Sequence, residues 1–270
     1  MPDIRYAQNE NVDRGDLRMQ VIERGTSTPI DDAKISISYS GDPDSTVEEV
    51  NTDASGMSET LTLDTPPLEL SMQPSEVQPY AEYTIQVTAK GYRPINISGI
   101  EVFSGQLSLQ EIRMDAEKAT ESMTDNIVIP AHTLFAEYPP KIAEAEIKPV
   151  TETGEIVLSR VVIPEYVIVH DGAPSDPTAR DYYVRYRDYI KNVASSEIYS
   201  TWPDATIRAN VLAIMSFTLN RVYTEWYRNK GYSFTITSST AYDQKFMYGR
   251  NIYQSISDVV DEMFQNYLSR

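Results

Sequence analysis

The first part of the chain alternates between apolar and polar residues with a period of two. Three runs show the pattern most clearly: Leu17, Met19 and Val21; Ile35 and Ile37; and Ile85 and Val87. This period is typical of strands that bury one face. Turn-forming residues separate the runs at 53–56, 65–67 and 90–92. Short strands at this spacing predict an antiparallel β-sandwich, and we place this domain at residues 1–114.

Residues 115–164 have the composition of a connector. Five prolines interrupt the segment: Pro130, Pro139, Pro140, Pro149 and Pro164. Each proline removes a backbone donor and favours an extended conformation in the residue before it. We predict a partly ordered strap with a short strand at residues 155–162. Such connectors are also sites where proteases cut.

Residues 165–270 change to a helical period. We predict helices over Tyr186–Ser196, from Asp204 to about Arg228, and over Ile252–Tyr267, with a short strand at Phe234–Ser239. The middle helix should end near Gly231. Its apolar stripe comprises Ile207, Val211, Ile214, Met215, Leu219 and Val222, and we expect the arginines opposite, Arg208, Arg221 and Arg228, to form a solvated face. The fold class predicted for the chain is α+β, a sandwich followed by a mainly helical domain.

Composition and charge narrow the classes of function. The chain has no cysteine and two histidines, which excludes disulfides, thiol catalysis and metal sites built on several imidazoles. The formal net charge of −17 argues against nucleic acid and anionic membranes as partners. No apolar run approaches the length of a membrane span. The first residues lack the basic and apolar segments of a secretory signal, so we expect no signal peptide here.

Three segments of the first domain are similar to a known sandwich module. Residues 29–37, 52–56 and 83–92 resemble the carboxypeptidase-regulatory or transthyretin-like sandwich. The resemblance covers about 100 residues, and it implies a module that binds, spaces or chaperones rather than one that catalyses. The domain is acidic, with 9 basic and 23 acidic side chains in residues 1–130. It is therefore a candidate pro-domain that covers a cleft.

Two segments of the second domain carry a more specific resemblance. Residues 188–198, which contain Glu197, and residues 208–221 resemble the core motif of the stage II sporulation protein D family, and more closely the clostridial spore cortex-lytic enzymes. Asn210 stands where the family commonly has glutamine, and Leu212 and Met215 where it has alanine. The resemblance implies that Glu197 is the catalytic acid and that the substrate is peptidoglycan. It also implies that the catalytic domain is truncated at residue 270.

The chemistry of glycan cleavage explains why one glutamate can suffice. The leaving oxygen needs a proton, which a carboxylic acid of raised pKa supplies at neutral pH. Most hydrolases add a second carboxylate. A lytic transglycosylase instead uses the muramic C6 hydroxyl as nucleophile and forms a 1,6-anhydro sugar. The residues around Glu197 suit this chemistry, because small and aromatic side chains leave room for a sugar and can stack on it: Tyr189, Ser196, Tyr199 and Trp202.

A second segment, residues 237–249, is similar to the polar motif that lines the family's cleft. The resemblance implies substrate-binding roles for Ser239, Thr240, Gln244 and Tyr248. An ordinary polar loop between a strand and a helix would have the same composition.

Two further residues are weaker candidates. Asp188 is interpreted as a helix N-terminal acid rather than a second carboxylate, and His170 as a structural residue at a strand end.

These observations together define two hypotheses of different class. The first is a peptidoglycan lytic transglycosylase of the spore cortex, coat or cell wall, with Glu197 as single acid and base. It requires no metal or organic cofactor, and its partners are peptidoglycan glycan strands and an activating protease that cuts the connector. The alternative is a non-catalytic wall or spore-coat protein that binds glycan or has a structural role. A structural sandwich adhesin, a third hypothesis, leaves the motif around Glu197 unexplained.

Overall fold

The computed structural model describes residues 12–117, 124–142 and 157–267. It contains sheets and four α-helices, so the α+β class is confirmed. The described chain divides into two compact units. The first contains the residues up to Ala131 together with Ser200–Trp202 and Gly249–Ser255. The second contains His132–Tyr199, Pro203–Tyr248 and the residues from Ile256 onward.

Two sheets build the first unit. One has the strand order β12-β7-β1-β4 and the other β3-β2-β5-β6-β8. The strands are β1 (Asp13–Glu23), β2 (Lys34–Tyr39), β3 (Asp42–Asn51), β4 (Leu61–Thr65), β5 (Ala81–Thr88), β6 (Ile95–Val102), β7 (Leu107–Met114), β8 (Asp125–Val128) and β12 (Ile252–Tyr253). A four-residue helix, α1 (Glu69–Met72), lies between β4 and β5.

The alternating residues of both sheets meet in one core. Leu17, Met19 and Val21 of β1 are fully buried, and so are Ile35 and Ile37 of β2. Ile85 and Val87 of β5 join the same apolar cluster. Two sheets that bury their inner faces against each other form a β-sandwich. The burial of every second residue therefore confirms the strands that the period of two predicts. The prediction that the sandwich is antiparallel is wrong in two places, because β1 pairs with β7 and β6 pairs with β8 in parallel.

The turn predicted at residues 53–56 has a defined structure. Asp53 Oδ1 accepts hydrogen bonds from the backbone N–H of Ser55 at 2.8 Å and of Met57 at 3.0 Å. Gly56 has φ +73°, and a Cβ there would lie 2.4 Å from the carbonyl oxygen of Val21. Only glycine fits such a conformation at such a close approach. The turn was predictable because the residues that form it, Asp53 and Gly56, are close together in the sequence.

The segment Gly249–Ser255 adds an edge strand to the sandwich. Ile252 pairs with Leu109 and Tyr253 with Ser108, antiparallel to β7. The hydroxyl of Tyr253 donates to Glu101 Oε2 at 3.0 Å, and Arg250 Nη2 donates to the same oxygen. Asn251 Nδ2 donates to the carbonyl oxygen of Glu101 at 2.9 Å. A buried ion pair with supporting hydrogen bonds therefore holds the late segment on β6 and β7.

The second unit is mixed. Its sheet has the order β10-β9-β11, formed by β9 (Tyr166–His170), β10 (Asp181–Arg185) and β11 (Ile236–Thr237). Its helices are α2 (Tyr186–Glu197), α3 (Asp204–Tyr223) and most of α4 (Gln254–Met263). The sequence analysis predicted a mainly helical domain with one short strand, in the region of β11. Strands β9 and β10 were not predicted.

Several predicted boundaries are wrong. The middle helix ends at Tyr223 rather than near Arg228, because Glu225 adopts φ +47° and reverses the chain. A 3-10 turn at Arg228–Lys230 then ends at Gly231, which has φ +86°. The third helix begins at Gln254, since Ile252 and Tyr253 form β12. Residues 157–162 form no strand, and residues 155 and 156 lie outside the described residues.

The first prediction concerns the buried ion pair of the sandwich. Glu101→Gln leaves the Arg250 charge buried without a counter-charge, which should lower the free energy of unfolding by about 3–5 kcal/mol. Urea unfolding measures the change. Asp64→Asn is the control, because Asp64 and its partner Arg14 are both exposed to solvent. Equal destabilisation by the two substitutions would contradict a specific role for the buried pair.

Candidate functional site

The last turn of α2 places Glu197 on the buried face of the helix. Tyr189, Val193 and Ala194 are fully buried and lie along one side of α2. Glu197 follows Val193 by four residues and Ala194 by three, so it continues the same side. The Glu197 carboxyl therefore points inward, at a position where the helical pattern of buried residues would normally have an apolar side chain.

The Glu197 carboxylate receives a single hydrogen bond from the described residues. The backbone N–H of Lys245 donates to Oε1 at 2.7 Å. The ammonium of Lys141 attracts the carboxylate, while its Nζ also lies 4.3 Å from the ring centroid of Phe217. No arginine forms an ion pair with Glu197 within the described part of the chain. This environment differs from that of a structural carboxylate that a guanidinium neutralises.

Burial raises the pKa of Glu197 to about 7. The hydrogen bond from the Lys245 N–H and the charge of Lys141 lower the pKa but do not offset burial. The position at the C-terminal end of α2 acts in the same direction as burial, because the negative end of the helix dipole disfavours an anion. A carboxyl group in this state exchanges a proton near neutral pH, which suits a general acid.

The loop of residues 239–248 brings Lys245 to Glu197, and both long helices hold it. Asn192 of α2 makes two hydrogen bonds to Met247, accepting from its N–H at 2.9 Å and donating to its carbonyl oxygen at 2.8 Å. Gln244 accepts a hydrogen bond from the Thr218 hydroxyl at 2.8 Å and donates to the Ile214 carbonyl at 3.1 Å. The donor to Glu197 is therefore held in a defined position.

A buried ion pair anchors the same loop. Asp243 accepts hydrogen bonds from Arg221 Nε at 2.7 Å, from the Tyr227 hydroxyl at 2.6 Å, and from both the N–H and the hydroxyl of Thr237, at 2.8 and 2.7 Å. The Arg221 side chain is only 2% exposed. The prediction that Arg221 belongs to a solvated face is wrong. A guanidinium can be buried when a carboxylate neutralises it and the remaining donors find partners.

Three of the predicted substrate-binding residues lie inside the unit. Tyr189 is fully buried and stacks on Phe246 with centroids 5.8 Å apart. The Ser196 hydroxyl is buried and donates to the Asn192 carbonyl oxygen at 2.9 Å. Gln244 is buried, and its side chain bonds to protein groups at both ends. The resemblance implies that these three contact a glycan, whereas in the structure their side chains are buried and bond to protein groups.

The other predicted residues have varied environments. Tyr199 is buried, with its ring centroid 4.7 Å from that of His132. Trp202 belongs to the first unit, where its Nε1 donates to the Ser71 carbonyl oxygen at 3.1 Å. Ser239 and Thr240 are partly exposed in the loop that leads to Lys245. Tyr248, also partly exposed, stacks on Tyr182 at 4.7 Å. Ser239, Thr240 and Tyr248 therefore remain accessible candidates for substrate contact.

The two weaker candidates have structural roles. His170 ends β9, where its Nδ1 lies 2.7 Å from Asp181 Oδ1 and its ring stacks on Phe234 with centroids 4.4 Å apart. Asp188 lies exposed in the first turn of α2. Both positions are consistent with the structural interpretation. Asp188 lies nine residues, or about two and a half turns, before Glu197 on the same helix, which places the two backbone positions about 13 Å apart.

Sequence reasoning missed the residues that support the acid. Asn192 precedes Glu197 by five residues, and Asp243 precedes Lys245 by two, yet neither stands out in a polar segment. Lys141 lies in the predicted connector, and no local pattern links it to α2. The sequence neighbours of Asp243 are Tyr242 and Gln244, so no local pattern identified Arg221, 22 residues earlier, as its partner.

In the described ranges, no group of three or more histidine, aspartate or glutamate side chains is arranged to hold a metal ion. None of the helices described here combines the length and the apolar character needed to cross a bilayer.

Comparison with known proteins gives only distant similarities. No protein-family model and no curated protein sequence matches the chain. Among solved structures, 5-hydroxyisourate hydrolase of Klebsiella pneumoniae is 17% identical, with a TM-score of 0.26, over 38% of this chain and 92% of that one. Wild-type catechol 1,2-dioxygenase of Acinetobacter radioresistens is 14% identical, with a TM-score of 0.26, over 44% of this chain and 59% of that one. At this level the similarities do not indicate a function.

The second prediction follows from the raised pKa of Glu197. Between the unfolded value of about 4.5 and the folded value of about 7, the native state binds more protons than the unfolded state, so stability falls as pH rises. Glu197→Gln removes this effect. The variant should match the wild type near pH 4 and exceed it at pH 8 by about 1–3 kcal/mol.

Denaturant unfolding at the two pH values measures this difference. Glu165→Gln is the control, because it removes an exposed carboxylate from the same unit. The control should keep the wild-type difference between pH 4 and pH 8. If Glu197→Gln keeps that difference as well, the Glu197 carboxyl does not have a raised pKa in the folded protein.

Proposed function

We propose that this chain cleaves peptidoglycan glycan strands by a lytic transglycosylase mechanism, with Glu197 as the single general acid and base. The observation that carries the proposal is the environment of Glu197. The carboxyl is partly buried, lacks a guanidinium partner among the described residues, and has a pKa raised to about 7. The resemblance of the flanking residues to the stage II sporulation protein D family supplies the substrate class.

The proposed mechanism conserves the proton on Glu197. The protonated carboxyl donates to the oxygen that leaves from C1 of muramic acid, and the C1–O bond breaks. The resulting carboxylate then accepts the proton of the C6 hydroxyl of the same sugar, and the C6 oxygen bonds to C1. The products are a shortened strand and a 1,6-anhydro end, and no water is consumed. The Lys245 N–H, held at 2.7 Å from Oε1, stabilises the carboxylate between the two proton transfers.

The accessible side chains near the loop provide substrate contacts in this proposal. Ser239 and Thr240 offer hydroxyl groups to sugar hydroxyl or acetamido groups, and the stacked pair of Tyr248 and Tyr182 offers an aromatic face. Tyr189, Ser196 and Gln244 have an indirect role in this proposal. Their hydrogen bonds stabilise α2 and the loop that carries Ser239, Thr240 and Tyr248.

The first unit has the role of an N-terminal accessory domain in this proposal. The defined turn at Asp53 and Gly56 supports its assignment as a carboxypeptidase-regulatory or transthyretin-like sandwich. An activating protease would cut in or near the connector of residues 115–164. The expected location, spore cortex, coat or cell wall, follows from the substrate. Peptidoglycan strands and this protease remain the proposed partners, and no metal or organic cofactor takes part in the chemistry.

A second candidate function is a non-catalytic glycan-binding or structural protein of the wall or spore coat. The burial of Tyr189, Ser196 and Gln244 favours it, because fewer side chains than the motif implies are available to position a sugar. In that case Glu197 is a buried carboxyl without a chemical role.

The third prediction tests the two functions directly. Purified peptidoglycan, including spore cortex, is incubated with the full chain, with chain cut in the connector, and with cut Glu197→Gln. Mass spectrometry should detect anhydro-muropeptides from the cut form and none from Glu197→Gln, a loss of at least about 100-fold for removal of a general acid. Cleavage should decline as pH rises through about 7, because the carboxyl loses its proton.

The controls separate loss of chemistry from loss of fold. Cut Glu165→Gln should retain the products, since Glu165 is exposed and distant in sequence from the loop. Products from Glu197→Gln at the wild-type level would exclude the acid role. Retained glycan binding without products from any form would favour the binding protein.

A further inference from the structure

A cavity in the second unit lies beside Trp226. Its volume is about 230 Å³, and six of its lining residues are Ile142, Trp226, Tyr227, Lys230, Tyr232 and Tyr242. Trp226, Tyr232 and Tyr242 are partly exposed, so the cavity is open to solvent. Aromatic walls of this kind pack on the apolar face of a sugar ring.

Cations border this aromatic surface. Lys230 Nζ lies 3.2 Å from the Trp226 ring centroid. The guanidinium carbon of Arg221 lies 4.4 Å from the same ring and also lines the cavity. Arg221 is buried and pairs with Asp243, whereas Lys230 is exposed at the mouth of the cavity. None of the described residues that line the cavity is acidic. A cavity lined by two basic side chains and by no described acidic one is suited to an anion.

The residue before Trp226 has an unusual backbone conformation. Glu225, directly before Trp226, has φ +47°, which is unusual for a residue other than glycine. The Trp226 N–H donates to the Arg221 carbonyl oxygen at 3.2 Å, so the chain turns back over the end of α3. The strained turn and the Asp243 ion pair together fix the aromatic wall in place.

Two short chain segments connect the cavity to Glu197. Ile142 lines the cavity, and Lys141, its neighbour, is the cation that attracts Glu197. Tyr242 lines the cavity, and Lys245, three residues later, donates to Glu197. Three residues span at most about 11 Å. The cavity therefore lies within reach of a glycan whose reacting bond is at Glu197.

We propose that this cavity binds a sugar unit that bears a carboxylate, with Trp226 and the tyrosines packing on the sugar and Lys230 pairing with the carboxylate. The inference rests on the proposed function, since it names a subsite for the same glycan. In peptidoglycan the carboxylate has two sources, the lactyl ether of muramic acid and the peptide attached to it. Both present the same chemistry to Lys230.

The fourth prediction is a binding experiment with the full chain. The probes are N-acetylmuramic acid, N-acetylmuramoyl-L-alanine and N-acetylglucosamine, which lacks the carboxylate. Titration followed by NMR or calorimetry should show preference for the two acids over N-acetylglucosamine. A higher affinity for one acid identifies the source of the carboxylate. Lys230→Glu should weaken acid binding at least tenfold and change N-acetylglucosamine binding less than twofold.

The controls keep this outcome separate from folding and from catalysis. Lys90→Glu makes the same charge change at an exposed lysine of the first unit and should leave binding unchanged. Trp226→Phe retains an aromatic face and should bind better than Trp226→Ala, while thermal unfolding reports the stability of each variant. Equal binding of all three probes, or no effect of Lys230→Glu, would overturn the subsite.

The failure of one proposal is distinguishable from the failure of the other. If the cavity prefers the acids but no form of the chain cleaves glycan, the subsite stands and the transglycosylase proposal fails. If Glu197-dependent cleavage occurs but Lys230→Glu binds the acids as wild type does, the subsite fails alone.

Discussion

The second unit depends on one buried ion pair, that of Arg221 and Asp243. Asp243 also accepts hydrogen bonds from Tyr227 and Thr237, so a single carboxylate joins α3, the turn that follows it and β11. The loop that contains Asp243 continues to Lys245, whose N–H contacts Glu197. Arg221 in turn underlies Trp226. A guanidinium and a carboxylate that neutralise each other thus position both the donor to the acid and the aromatic wall of the cavity.

Three inward-facing carboxylates illustrate how pairing decides the role of a charge. Glu101 and Asp243 each face an arginine, and such pairs are structural because removal of either partner leaves an uncompensated charge. Glu197 faces a backbone N–H and a more distant lysine. Burial raises the pKa of Glu197 to about 7, and it raises the pKa of Glu101 to about 7 as well, so Glu197 differs from Glu101 in having no guanidinium partner among the described residues. A site of this kind lowers stability at neutral pH, which is common where a group is retained for chemistry.

The sequence predicted those features that depend on local pattern. Alternation at Leu17, Met19 and Val21 identified strands, since one face of a sandwich sheet must be apolar. The helical period located α2 and the buried side to which Glu197 belongs. Arg221 was misplaced because a cation on a helix usually faces water, and only the distant Asp243 reverses that preference. The strand at Ile252 and Tyr253 was also missed because its partner is distant in the sequence. Two residues beside a helix show no strand pattern of their own, and only the pairing with β7 makes them a strand.

The segment Gly249–Ser255 also has a consequence for biosynthesis. The carboxylate of Glu101 meets its guanidinium partner only 149 residues later in the chain. A ribosome adds about 5–20 residues each second, so roughly 7–30 seconds pass between synthesis of Glu101 and of Arg250, while the edge of β7 is unfilled and the Glu101 carboxyl lacks its cation. During that interval an exposed strand edge is open to pairing with other chains. We expect the chain to be most prone to aggregation in this interval, before Ile252 and Tyr253 are made and cover the edge of β7.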